Sequence, residues 1–123
     1  LLVPALRLIA IATIASGLIQ LVAPAFVLGI VGGETNPPAL HLFGIVGMFM
    51  ALFGALMIDG LRPGAPRGPM VIAGLQKFGA AVAVALGISR GVFGSAAWPV
   101  AGFDLLTGIL VAVYLATIPR STQ

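Results

Sequence analysis

Cysteine is absent from the 123-residue chain, and histidine, tryptophan and tyrosine occur once each. Without cysteine there can be no disulfide framework, no thiol redox chemistry and no Cys-based zinc or iron–sulfur site. Charge is the second scarcity. Six Lys+Arg and three Asp+Glu amount to 7% of the residues, whereas a globular domain usually carries about 25%. A small domain has much surface for its volume, and so few charges cannot keep that surface in water. This excludes a soluble enzyme, a disordered tail and a nucleic-acid module. The net charge of +3 reflects a shortage of acids. Arg7, Arg62, Arg67, Lys77, Arg90 and Arg120 are scattered rather than gathered on one face, so no nucleic-acid partner is expected.

What the chain does have is apolar length. Hydrophobic residues make up 60% of it, in runs too long for strands and without the period-two alternation of a membrane barrel. A transmembrane helix needs about 20 apolar residues to cross about 30 Å of hydrocarbon. Four stretches qualify: residues 5–23, 39–61, 70–92 and 98–118. The sequence therefore predicts one all-α domain, a four-helix integral membrane bundle. Pro24 ends the first span, and the segment PAFVLGIV after it is too short to cross. It is expected to form a helical extension or an interfacial turn. Pro37-Pro38 is read as the breaker before the second span. The connections GGETNPP, RPGAPRGP and GSAA have the Gly/Pro/small composition of turns. A competing reading of the N-terminus is a signal peptide, from Arg7, the apolar run and Ala23-Pro24-Ala25.

Four crossings bring Arg7, the Arg62/Arg67 loop and Arg120 to one side, leaving Glu34 and Arg90 on the other. The positive-inside rule places both termini and the middle loop in the cytoplasm. Trp98 and Tyr114 fall near opposite ends of the last span, as interfacial aromatics do.

Charges within a span cost about 2.5–3.5 kcal/mol each on insertion scales and face the bundle interior. Three candidates sit on rows of small residues spaced by four: Gly47-Ala51-Ala55-Asp59, Ala73-Lys77-Ala81-Ala85 and Asp104-Gly108-Ala112-Ala116. Such rows let helices approach closely in lipid. With a rise of about 1.5 Å per residue, Lys77 lies about 6 Å from its span's midpoint and Asp59 about 13 Å on the same side. By the same rise Lys77 and Asp104 are about 10 Å apart in depth. Their side chains lean away from each other, towards their own helix N-termini. The expected pairs are therefore Asp59–Lys77 and Arg90–Asp104, serving as structural ion pairs or as a transport path.

His41 opens the second span. One histidine is enough for an axial ligand to haem or chlorophyll, with Gly44 and Gly47 leaving room for a ring; the bland alternative is a polar interface residue. Gln20 and Gln76 are expected to form interhelical hydrogen bonds. Met48, Met50, Met57 and Met70 follow no ligand spacing and are read as packing. No catalytic residue set and no metal-ligand cluster is recognisable. Bound lipid is the expected companion.

Several stretches resemble uncharacterised small four-span bacterial membrane proteins of the DoxX-like group. They are Ala23-Pro24-Ala25-Phe26-Val27-Leu28, the Gly- and Phe-rich HLFGIVGMFMALFGALM, the turn Gly74-Leu75-Gln76-Lys77 and the tripeptide Phe103-Asp104-Leu105. The resemblance implies a four-helix bundle and no agreed activity. Ala, Gly and Arg usage points to a GC-rich bacterial source and an inner or intracytoplasmic membrane. Two functions stay open. One is a non-catalytic accessory subunit of a respiratory or photosynthetic complex, bound to other subunits or to itself through small-residue faces. The other is a small oligomeric transporter or channel using Asp104 and Lys77.

Overall fold

The computed structural model describes residues 1–119, which are helical and contain no strand. Helices α1 (Leu2–Val22), α2 (Pro24–Ile30), α3 (Pro37–Gly60), α4 (Gly68–Ser89) and α5 (Trp98–Thr117) follow in order, with a 3-10 turn at Ser95–Ala97 leading into α5. Four of them, α1, α3, α4 and α5 with its leading turn, are long and apolar enough to cross a membrane. α2 is the short helical extension expected after Pro24. Arg120, one of the charges used to orient the chain, lies outside the described residues.

The helix ends follow local chemistry that hydropathy does not register. Pro37 and Pro38 do not stop at the edge of α3; they form its first turn, with Asn36 as N-cap accepting from the Ala39 N–H at 2.9 Å. Proline costs nothing there, because the first N–H groups of a helix have no partner anyway. α4 ends three residues before the apolar run does. Gly91 adopts φ +74°, and the N–H groups of Gly91 and Val92 donate back to the carbonyls of Ile88 and Gly87. This is a Schellman C-cap, for which glycine supplies the left-handed residue. Gly32 ends α2 in the same way, with Gly33 N–H donating to Leu28. The two caps are joined, since Gly94 N–H donates to the Val31 carbonyl at 2.8 Å.

Two helix pairs form the closest contacts. α1 lies on α3 through glycine: a Cβ on Gly17 would come within 2.6 Å of the Gly47 carbonyl, and one on Gly47 within 2.6 Å of the Gly17 carbonyl. Seven residues along α3, a Cβ on Gly54 would meet the Ala10 carbonyl at 2.9 Å. α4 lies on α5 with glycine facing bulk, Gly74 under Val111 and Gly108 under the Phe78 ring. In lipid the apolar surroundings give no solvent drive to associate, so this close packing holds the pairs.

The pairs are joined at both ends by apolar clusters. Leu6, Ala10, Met57, Leu61, Met70, Val111 and Tyr114 form one, with Leu2 and Ile118 against it. The first and last described turns therefore share the end that carries Arg62. Leu28, Val31 and Ala97 form the other cluster, with Phe43 and Phe93 against it, at the end that carries Glu34. Trp98 is exposed at that end, whereas Tyr114 is buried in the first cluster.

Candidate functional site

Between the two apolar clusters lies a polar layer. Lys77 projects from the buried face of α4 that also carries Ala73 and Ala81. Its Nζ donates to Asp104 Oδ1 on α5 at 3.1 Å and to Thr13 Oγ1 on α1 at 2.9 Å. The ammonium also stands 5.2 Å from the centroid of the Phe103 ring, a cation–π contact. The Lys77 and Asp104 side chains are 4% and 12% exposed. One ammonium thus ties three of the four long helices together. Leaving either charge unpaired here would be costly, because burial removes the water that solvates it.

This pairing corrects the expected one. Lys77 does not pair with Asp59, and Asp104 does not pair with Arg90. α4 runs over Gly68–Ser89 rather than 70–92, so Lys77 is only about 2 Å from the helix midpoint. Gly74 faces Val111 and Gly108 faces Phe78, which sets Lys77 level with residue 108, about one turn from Asp104. The lean of Cβ towards the helix N-terminus governs short side chains. The four-carbon stem of lysine is long enough to reverse it across one turn.

Asp59 fails as an interior charge because a strict four-residue row drifts. Each step of four turns about 40° past a full turn, so Asp59 lies about 120° around the helix from Gly47. The buried stripe follows steps of three and seven instead, through Gly44, Gly47, Gly54, Met57 and Gly60. Asp59 is exposed and pairs locally with Arg62 at 2.8 Å. The same drift leaves Ala112 and Ala116 exposed on α5, while Asp104, Thr107, Gly108 and Val111 are buried. Arg90 caps the C-terminus of α4 and is exposed.

Gln20 meets its expectation, with Nε2 donating to the Phe43 carbonyl of α3 at 2.9 Å. Gln76 does not: its buried Oε1 has no hydrogen-bond partner among the described residues. Thr13 was not singled out by sequence. A hydroxyl four residues before the buried Gly17, on the same face, was the available signal. Met57 and Met70 are packing residues at the heart of the core, each 1% exposed or less.

Two grooves of about 450 and 420 Å³ lie at the Glu34 end, and neither is lined by Lys77 or Asp104. His41 is exposed on the rim of the smaller groove, beside Leu21, Pro24 and Gly44. Among the described residues no three His, Cys, Asp or Glu side chains gather into a metal site. No protein-family model matches the chain, and searches of curated proteins and of solved structures give no significant match.

Proposed function

We propose that the chain is a non-catalytic accessory or structural subunit of a larger membrane complex of respiratory or photosynthetic type. In this reading both termini and the Arg62–Arg67 loop face the cytoplasm of a bacterial inner or intracytoplasmic membrane. The observation that carries it is the closure of the polar layer. Lys77 spends its charge on Asp104, Thr13 and a ring of its own bundle, and neither groove reaches it. Charges arranged this way hold helices together, and the apolar outer faces remain for lipid and for neighbouring subunits. Isolation in mild detergent tests the reading. Elution with a large multi-subunit complex is expected; elution as a homo-oligomer without other subunits would overturn it.

A second reading, a small oligomeric transporter or channel using Asp104 and Lys77, draws on the residual 12% exposure of the Asp104 side chain. Proton-coupled or ion flux in proteoliposomes, lost in a folded Asp104→Asn variant, would favour it over the first.

A further inference from the structure

The larger groove has a polar mouth and an apolar floor. Leu28, Ala39, Leu42, Phe43, Val46 and Phe93 line its body, and the Phe43 and Phe93 rings lie 6.5 Å apart, tilted at 56°. Leu42 and Val46 are more than half or about half exposed, at 62% and 50%, so the groove opens sideways towards hydrocarbon. Its volume of about 450 Å³ is that of a site for a small amphiphile. Glu34 and Gly91, which follows Arg90, are both among the lining residues.

Glu34 and Arg90 are the two charged side chains of this end of the molecule. Both are exposed. The ion pairs among the described residues are Arg62–Asp59 and Lys77–Asp104, so Glu34 and Arg90 do not neutralise each other. The Glu34 carboxylate in the groove lining, with the exposed Arg90 next in sequence to the lining residue Gly91, matches a headgroup that carries both an ammonium and a phosphate.

We propose that this groove is a binding site for phosphatidylethanolamine, with the ammonium on Glu34, the phosphate towards Arg90 and one acyl chain along the Phe43–Phe93 floor. Guanidinium is the preferred partner of phosphate oxygens, and a primary ammonium can donate hydrogen bonds to a carboxylate. An anionic lipid such as phosphatidylglycerol would satisfy Arg90 but leave Glu34 facing a like charge. The selectivity is therefore set by Glu34, and the groove supplies the shared hold on the chain.

The test offers detergent-solubilised protein equal amounts of phosphatidylethanolamine and phosphatidylglycerol of matched chains and counts bound lipid by native mass spectrometry. Wild type is expected to retain phosphatidylethanolamine about fivefold better, the yield of one exposed ion pair. Glu34→Gln is expected to bring the two lipids to parity and Glu34→Lys to invert the preference. Val46→Trp, which narrows the groove from its open side, is expected to lower retention of both. Equal retention by wild type would overturn the proposal, as would a preference that survives Glu34→Lys. Unchanged retention in Val46→Trp would remove the groove from it. Glu34 lies in an exposed connection, so its variants should melt as wild type does.

Discussion

Lys77 and Asp104 meet across the α4–α5 seam although their backbone positions are about one helical turn out of level, and the hydroxyl of Thr13 on α1 completes the contact. The lysine stem spans the offset. The bond therefore links α1, α4 and α5 at mid-depth, where neither apolar end cluster reaches.

Removal of one partner should cost more than removal of both. Lys77→Met leaves the Asp104 carboxylate buried alone, and Asp104→Leu leaves the ammonium. In soluble proteins breaking one side of a buried pair costs about 3–5 kcal/mol; single polar couplings in membranes average about 0.6 kcal/mol. Each single variant is expected between these limits, with the double variant Lys77→Met/Asp104→Leu recovering most of the loss. Thermal melts in detergent, arranged as a double-mutant cycle, measure this. Additive losses would mean that the pair contributes nothing as a pair.

The cycle between Lys77→Met and Asp59→Ala should be additive to within about 0.5 kcal/mol, since the two share no partner. Asp59→Ala by itself breaks only the exposed contact with Arg62 and should cost about 1 kcal/mol or less, shrinking further in high salt.

The glycines separate into two kinds. Gly47→Ala would drive a methyl to within 2.6 Å of the Gly17 carbonyl and 2.7 Å of the Leu21 nitrogen. Backbone cannot move aside as a side chain can, so a loss of about 1–3 kcal/mol is expected. Gly79 and Gly102 have open space where a Cβ would stand. Alanine there should change the melting temperature little, within about 0.5 kcal/mol. Comparable losses at Gly47 and Gly79 would contradict the α1–α3 packing.

Topology can be read by labelling. Cysteines at Thr35 and Pro66, both exposed and in connections at opposite ends, should react with an impermeant reagent from opposite sides, with position 66 protected in intact cells. Pro66 suits this better than Gly64, whose φ of +76° disfavours any residue with a Cβ. Labelling of both from one side would contradict the four-span arrangement.

The sequence by itself determined the helical class and the number of spanning-length helices. Too few charges and four apolar runs of spanning length require helices in lipid, because only a helix satisfies its own backbone there. It also marked Lys77 and Asp104 as interior, since small residues flank both. The partners were not legible. Pairing depends on helix ends set by Schellman glycines at Gly32 and Gly91, on the α4–α5 register set by Gly74 under Val111 and Gly108 under Phe78, and on rotation about each axis. A row spaced by four loses the face after two turns, which is how Asp59 came to look buried. Thr13 entered the site only because α1 sits where its hydroxyl meets α4. These are distances between helices, and tertiary packing alone sets them.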